Sequence, residues 1–236
     1  MISIADNIRS VTRRIQKATA DAGRPEDAVT LLAVCKTRSP DEIRAAHAAG
    51  LRHFGENYLQ EALDKQPALA DLPLIWHFIG PIQSNKTRAI AGHFDWVHSV
   101  DRAKVAKRLS EQRPPTLPPL NICLQVNIDA EPTKAGVLPD ALPELVEAVR
   151  SLERLRLRGL MCIPAPKKDE TEAEATFRRM ARLLDDLNRR CGLNMDTLSM
   201  GMSDDLEPAI RAGATIVRVG TALFGERPPK DTRTES

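Results

Sequence analysis

The segment Val29-Thr-Leu-Leu-Ala-Val-Cys-Lys-Thr-Arg-Ser-Pro40 decides the fold. Its first seven residues form a short apolar run, which indicates a buried strand, and helical spacing begins at Pro40. A dinucleotide-binding sheet would continue after its first strand with a glycine-rich loop of the form GxGxxG, whereas this chain has Lys36 there. The segment therefore predicts a strand, a short turn that carries a lysine, and a helix.

The same order of apolar run, turn and helix-like segment recurs along the chain after an opening amphipathic helix at about residues 2–22. The runs that predict strands are Val29–Cys35, His53–Gly55, Ile75–Ile79, Trp96–Ser99, Ile122–Asn127, Leu157–Ile163, Thr197–Ser199 and Ile216–Val219. The helix-like segments between them are Pro40–Ala49, Tyr58–Lys65, Asn85–Ala91, Arg102–Gln112, Asp140–Ser151, Glu172–Arg190 and Asp205–Ala212. Strands separated by helices pair in parallel through crossovers.

Eight such units close into a barrel more readily than they form an open sheet, and 236 residues are enough for one barrel. The sequence predicts the α/β class with a single (β/α)8 TIM-type barrel over residues 1–225 and an extra N-terminal helix. A doubly wound open sheet stays as the alternative. The polar composition of residues 226–236 predicts a flexible tail.

Composition and charge exclude several classes of partner. The 34 Lys and Arg residues nearly balance 32 Asp and Glu residues, and they are scattered, so we expect no nucleic acid. The N-terminus has no long apolar run, so we expect no membrane span and a cytoplasmic protein. Four cysteines without a C-x-x-C pair and five histidines without close spacing predict no metal site. No exposed apolar stripe demands a partner, so a monomer is expected.

The ends of the predicted strands carry the candidate site, because barrel chemistry belongs at the carboxyl ends of the strands. The candidate residues there are Lys36, Glu56, Asn57, Gln83, Ser84, Asn85, Asn127, Ser199, Ser203, Arg218, Gly220 and Thr221. A partly desolvated lysine amine loses its proton more easily and can form a Schiff base. The position of Lys36 alone fits an ordinary surface lysine better than a Schiff-base lysine. The residues at the other strand ends therefore decide between the two interpretations.

Two segments near the C-terminus, SMGMSDD at 199–205 and VRVGTALFG at 217–225, supply hydroxyls, glycines and backbone amides that suit one phosphate. Arg218 lies two residues before Gly220 and shares its inward face. Its guanidinium either pairs with an inward carboxylate such as Glu56 or donates to the ring nitrogen of a bound pyridine. His77 is interpreted as a hydrogen-bonded core histidine.

Seven segments in order, AVCKT, FGENYLQE, WHFIGPIQSNK, VHSVD, LQVN, SMGMSDD and VRVGTALFG, closely resemble the pyridoxal phosphate homeostasis protein family over nearly the whole chain. Proteins of that family look like the barrel domain of alanine racemase standing alone. The resemblance implies that pyridoxal 5′-phosphate is held as a Schiff base on Lys36. It also implies a role for each remaining position, with the phosphate on Ser203, Gly220 and Thr221, the pyridine nitrogen at Arg218, the ring near Asn57, and an accessory lysine at Lys134.

The function implied by the resemblance is intracellular homeostasis of pyridoxal phosphate, and of amino and keto acids, without rapid catalysis and with transient transfer to apo-enzymes. An arginine at the pyridine nitrogen keeps that nitrogen unprotonated and makes the ring a weak electron sink. We also expect no second domain after the eighth strand that would supply a base. The alternatives are a slow racemase or transaminase at the same site, and a barrel enzyme whose lysine acts on a sugar phosphate.

Overall fold

The computed structural model describes residues 3–226 of the chain and shows a closed barrel of parallel strands. Within these residues the eight strands pair in chain order from β1 to β8, and β8 returns to pair with β1. The strands are β1 Thr30–Val34, β2 His53–Glu56, β3 Ile75–Phe78, β4 Trp96–Val100, β5 Leu120–Val126, β6 Leu155–Cys162, β7 Thr197–Ser199 and β8 Ile216–Val219. The predicted barrel is confirmed, and the open sheet is wrong because Thr30 of β1 pairs with Ile216 of β8.

Helices follow the strands and surround the barrel. The helices of the described chain are α1 Ile4–Asp21, α2 Pro40–Ala48, α3 Leu59–Lys65, α4 Thr87–His93, α5 Ala103–Gln112, α6 Leu142–Arg150, α7 Glu170–Cys191, α8 Leu206–Arg211 and α9 Thr221–Phe224. Short 3-10 helices lie at Gln66–Leu69 and Pro139–Ala141. The predicted boundaries differ from the observed ones by only a few residues, as for β6, which begins at Leu155 rather than at Leu157.

The first strand and helix form because each local signal agrees with the tertiary structure. Residues of β1 pair with both β2 and β8, so the strand is fixed on two sides. The turn after it includes Thr37 with a φ of 64°, and α2 then begins with a capping box. In this box the Ser39 hydroxyl accepts the Glu42 amide and the Glu42 carboxylate accepts the Ser39 amide. Ile43 and Ala46 of α2 are buried on the barrel.

The apolar core has two layers that follow the alternation of side chains along the strands. Leu32, Ile79 and Ile216 form a small cluster inside the barrel, with Val34 packed against it. A much larger layer lies between the strands and the helices and includes Phe54 among its buried side chains. Because Leu32 and Val34 face the interior, the next position on that face after the strand is Lys36.

The predicted N-terminal helix is confirmed, and α1 packs against α8 and α9. The Asn7 amide Nδ2 donates to the Leu223 carbonyl oxygen at 2.9 Å. Within residues 3–226 no helix is both long and apolar enough to cross a membrane. The predicted tail lies outside the described residues, apart from Glu226.

Candidate functional site at the barrel mouth

Lys36 lies directly beyond β1 at the carboxyl end of the barrel and is half-buried. Leu32, four residues earlier on the same face, pairs in register with Arg218 of β8. Since positions two residues apart in a strand share a face, Lys36 and Gly220 continue the faces of Leu32 and Arg218 toward the mouth. The structure therefore brings the ends of the first and last strands together, as the sequence predicts.

Gly220 directly follows β8, where the backbone passes close to β1. A Cβ atom at Gly220 would lie 3.3 Å from the Val34 carbonyl oxygen and 3.5 Å from the Val34 Cβ. Thr221 follows as the first residue of α9, and its side chain is exposed. The small residue leaves room for backbone amides and a hydroxyl to face a ligand at the mouth.

The β7–α8 loop carries Ser203 and is held to the barrel and to α1. The Arg218 amide donates to the Gly201 carbonyl oxygen at 2.9 Å, and Gly201 has a φ of 92° that favours glycine. Arg14 of α1 donates to the Ser203 carbonyl oxygen at 2.9 Å and to both carboxylate oxygens of Glu207. Sequence reasoning missed Arg14, which fixes the backbone beside the predicted phosphate position.

Asn57 follows β2 and has a buried side-chain oxygen, Oδ1, with no hydrogen-bond partner among the described residues. A buried acceptor without a donor costs about 1–3 kcal/mol, so such an atom suits a ligand that brings a donor. The loop is packed tightly against the one after β3, since a Cβ atom at Gly80 would lie 2.0 Å from the Asn57 carbonyl oxygen. The unpartnered oxygen fits a bound polar ring.

Arg218 lies inside the barrel below Gly220 and is only 4% exposed. Its guanidinium donates to the Ser199 hydroxyl oxygen at 2.8 Å and to the Cys162 carbonyl oxygen at 2.9 Å. Burial lowers the pKa of this guanidinium, and none of the described carboxylates forms an ion pair with it. The hydrogen-bond partners of Arg218 are neutral, and the Asp205 carboxylate acts on it only through its charge, so the remaining donors suit a neutral acceptor such as a pyridine nitrogen.

The alternative ion pair between Arg218 and Glu56 is wrong. Glu56 is buried on the helix side of β2, where its Oε1 accepts from Lys65 Nζ at 2.6 Å and from the Cys35 thiol at 3.1 Å. Gly55 precedes it and faces the barrel interior against Leu32, so strand alternation directs Glu56 outward. Burial raises the pKa of Glu56, and Lys65 opposes that shift. Burial also holds the pKa of the Cys35 thiol well above its usual value.

Other predicted positions serve the packing of their own loops. The Asn127 side chain bonds the Glu131 backbone at its carbonyl oxygen and at its amide. Lys134 is exposed on the same loop. The Ser84 carbonyl oxygen accepts from Arg108 of α5 at 2.9 Å. The Asn127 side chain is therefore bonded within its own loop, and the Ser84 backbone is bonded to α5.

Buried histidines in the barrel interior are the main feature that sequence reasoning missed. His77 is a hydrogen-bonded core histidine, as predicted, but its partners are two further histidines, His53 and His98. Burial lowers the pKa of His98 to about 3 and holds the pKa of His77 well below its usual value. Each of the three histidines lies at an inward position of a different strand, and the three strands are neighbours. Residue spacing within one strand therefore does not reveal this cluster.

The barrel and the polar positions at its mouth define a known class. The chain matches the family described as alanine racemase, N-terminal domain, over residues 4–228. The alanine racemase of Corynebacterium glutamicum is 19% identical, with a TM-score of 0.69, and the match covers 98% of this chain and 62% of the racemase. At that identity the likeness shows the fold alone.

More similar proteins narrow the assignment. The pyridoxal phosphate homeostasis protein of Pseudomonas aeruginosa is 63% identical over 96% of this chain and 97% of its own length. PipY of Synechococcus elongatus, whose structure was solved with pyridoxal phosphate bound, is 38% identical, with a TM-score of 0.82 over 94% of this chain and all of PipY. The chain therefore belongs to the family of pyridoxal phosphate homeostasis proteins, and the resemblance predicted from its seven segments is confirmed.

Proposed function

We propose that this protein binds pyridoxal 5′-phosphate at the barrel mouth and takes part in the homeostasis of that cofactor without rapid catalysis. Its family and the PipY structure with pyridoxal phosphate bound support the choice of ligand. The observation that carries the proposal is Arg218, a buried guanidinium held by neutral groups beneath Gly220. This arrangement provides a donor to a pyridine nitrogen at one end of the site and backbone amides for a phosphate at the other.

The predicted site residues take distinct roles in this proposal. Lys36 holds the cofactor covalently through its Nζ, and formation of the carbon–nitrogen bond releases one water molecule. The backbone amides of Gly220 and Thr221 and the hydroxyls of Ser203 and Thr221 bind the phosphate, while Arg14 fixes the Ser203 backbone. Asn57 Oδ1, which has no hydrogen-bond partner in the described part of the chain, lies near the ring. When bound, the cofactor supplies an aldehyde and a pyridine ring that accepts electrons when protonated.

The same arrangement disfavours fast chemistry. Arginine stays protonated and only donates hydrogen bonds, so Arg218 leaves the pyridine nitrogen unprotonated. An unprotonated ring accepts electrons poorly, so carbanion chemistry at this site is slow. Incubation with single enantiomers of several amino acids tests this point, because a racemase would scramble chirality in stoichiometric excess over the protein. Such turnover would contradict the proposal.

The proposed attachment is tested with the visible absorption spectrum after addition of pyridoxal phosphate, followed by borohydride reduction and peptide mass mapping. We expect a reduced adduct on the peptide that contains Lys36. Lys36→Ala should lose this adduct and retain weaker binding through the phosphate contacts. Lys107→Ala is the matched control, because Lys107 is an exposed lysine of α5 beside Glu111. An adduct at the wild-type level in Lys36→Ala would refute the assignment of Lys36.

We also propose that the protein acts as a monomer and passes its cofactor to apo-enzymes, with Lys134 as an accessory lysine. Of the four exposed large apolar side chains on the described surface, Tyr58, Ile163 and Met202 lie on loops that follow strands, which supports a transient contact at the mouth. Light scattering of the loaded protein tests the monomer. Reactivation of an apo-enzyme in the presence of a phosphatase that destroys free cofactor tests direct transfer, and Lys134→Ala should slow that reactivation.

A further inference from the structure

A continuous chain of hydrogen bonds crosses the barrel interior and ends at Arg218. His53 Nδ1 lies 2.9 Å from His77 Nε2, and His77 Nδ1 lies 2.9 Å from His98 Nε2. His98 Nδ1 lies 2.7 Å from the Ser199 hydroxyl oxygen, which also accepts from Arg218 at 2.8 Å. His77, His98 and Ser199 are fully buried. The chain therefore links five side chains from five strands.

The chain runs from the base of the barrel to the mouth. His53 and His77 line a cavity of about 240 Å³ at the amino ends of the strands, together with the ion pair of Arg158 and Asp196. The Trp96 ring stacks on His77 with its centroid 5.5 Å away and an interplanar angle of 13°. Within residues 3–226 no group of three or more histidine, cysteine or carboxylate side chains could hold a metal ion. The described partners of the His77 ring nitrogens are the other two histidines.

The direction of the bonds in the chain follows from the donor Arg218 together with the need of the buried Ser199 proton for an acceptor. A guanidinium only donates, so its bond occupies one of the two lone pairs of Ser199, and the single, buried hydroxyl proton still needs an acceptor. Among the described residues the acceptor in reach of that proton is His98 Nδ1. His98 then carries its proton on Nε2 and donates to His77 Nδ1.

The same argument continues to the base of the barrel. His77 accepts at Nδ1, so its proton is on Nε2 and is donated to His53 Nδ1. His53 then presents its own Nε2 proton away from the chain. All three rings are neutral Nε2–H tautomers, in agreement with burial, which lowers the pKa of each. The charged groups near the chain are Arg218 and Asp205 at the mouth, and Asp95 and the ion pair of Arg158 and Asp196 near its base.

We propose that Ser199, His98, His77 and His53 are positioning residues for Arg218, joined in a one-directional hydrogen-bond chain that holds its guanidinium toward the pyridine nitrogen. The chain fixes the Ser199 oxygen as an acceptor for the guanidinium, because its proton is committed to His98. The positioning role rests on the proposed binding of pyridoxal phosphate only for the contact between Arg218 and the cofactor. The direction of the chain and the ordering of Arg218 stand without any cofactor.

Long-range nitrogen–proton NMR spectra of the cofactor-free protein test the chain itself. We expect neutral Nε2–H tautomers for His53, His77 and His98, and sharp, slowly exchanging guanidinium signals for Arg218. Ser199→Ala should change the His98 tautomer and broaden the Arg218 signals. An Nδ1–H tautomer or a cationic ring at His98 in the wild-type protein would overturn the direction of the chain.

Titration with pyridoxal phosphate tests the positioning role. Ser199→Ala should shift the absorbance maximum of the bound cofactor and raise its Kd about tenfold, the loss expected for one hydrogen bond to a charged group. Ser199→Thr keeps the hydroxyl and should restore both values. Ser110→Ala is the matched control, because Ser110 is also buried but belongs to α5.

The two measurements separate the two proposals. Unchanged absorbance and Kd in Ser199→Ala, with cofactor bound as in the wild-type protein, would overturn the positioning role. A wild-type protein that binds no pyridoxal phosphate would refute the proposed function, and the NMR spectra of Ser199→Ala would then decide the chain alone. Changed His98 and Arg218 signals in that variant support it, and unchanged signals overturn it.

Discussion

Replacing His98 with glutamine is expected to make the protein less sensitive to acid. Burial lowers the pKa of His98 to about 3 in the folded state, whereas an unfolded chain has the usual histidine pKa of about 6.5. Between these two values the unfolded state binds a proton that the folded state does not. The free energy of unfolding therefore falls as the pH falls, by about 1.4 kcal/mol per pH unit for this one histidine.

The magnitude follows from that slope. Between pH 6.5 and pH 5, His98 alone should lower the free energy of unfolding by about 2 kcal/mol, and above pH 6.5 its contribution is fully present. Glutamine has a donor and an acceptor but no titrating group, so His98→Gln should lack this part of the pH dependence. Glu56 acts in the opposite direction, because burial raises its pKa in the folded state. The difference between wild type and variant is therefore the informative quantity.

Urea unfolding at several pH values between roughly 7.5 and 5, followed by circular dichroism, measures this difference. As the pH falls from 6.5 to 5, the free energy of unfolding of His98→Gln should rise by about 2 kcal/mol relative to that of the wild-type protein. His93→Gln is the control, since His93 lies at the end of α4 outside the buried chain. Parallel pH profiles for wild type and His98→Gln would refute the neutral, buried state of His98 and with it the direction of the chain.

Two further substitutions test the packing around the site. Lys65→Met leaves the Glu56 carboxylate buried without its cation and should lower the free energy of unfolding by about 3–5 kcal/mol in urea, and a loss below 1 kcal/mol would contradict the buried ion pair. Gly80→Ala places a Cβ atom 2.0 Å from the Asn57 carbonyl oxygen. It should lower the free energy of unfolding by about 1–3 kcal/mol and weaken the binding of pyridoxal phosphate. Gly92→Ala is the control, because no atom lies within 4 Å of the added Cβ, and it should be neutral or stabilising.

The fold was predictable because its signals are local and repeated. Each strand is a short apolar run and each helix has its own spacing, so the order of elements follows from the sequence. Closure of the barrel is a different matter, since the pairing of Thr30 with Ile216 joins residues at opposite ends of the chain. No local pattern encodes that contact, and the barrel was inferred from the number of units and from the right-handed crossover rule.

The site was predictable where the sequence shows which residues of a strand point into the barrel. Arg218 lies in a run of four buried residues, and its inward direction follows from its distance of two residues from Gly220. The partner of Arg218 was not predictable in the same way. Glu56 ends a four-residue strand whose phase is unclear from sequence, and its cation, Lys65, comes from the following helix. A short strand with a glycine gives too few positions to fix which face is buried.

Spacing within single segments does not reveal the histidine chain, because its members lie on different strands. In a parallel barrel, inward side chains at similar heights come from neighbouring strands, so His53, His77 and His98 meet although a helix separates each pair. Their distances along the chain repeat the length of one strand–helix unit. Inward polar residues that recur at that distance are the pattern to seek in barrel sequences.

The direction of the chain also helps to explain how Arg218 stays charged without an ion pair to any described carboxylate. Ser199 and each imidazole present a lone pair toward the guanidinium side and a proton toward the base of the barrel, so the negative ends of four aligned dipoles face the cation. A carboxylate at this place would stabilise the charge more strongly, but it would compete with the pyridine nitrogen for the same donors. Neutral, oriented dipoles stabilise the guanidinium and leave its outward donors to the ligand. Histidines in the barrel interior replace aliphatic side chains and so reduce apolar packing. That loss of packing is consistent with a site whose function depends on the protonation state of the pyridine nitrogen.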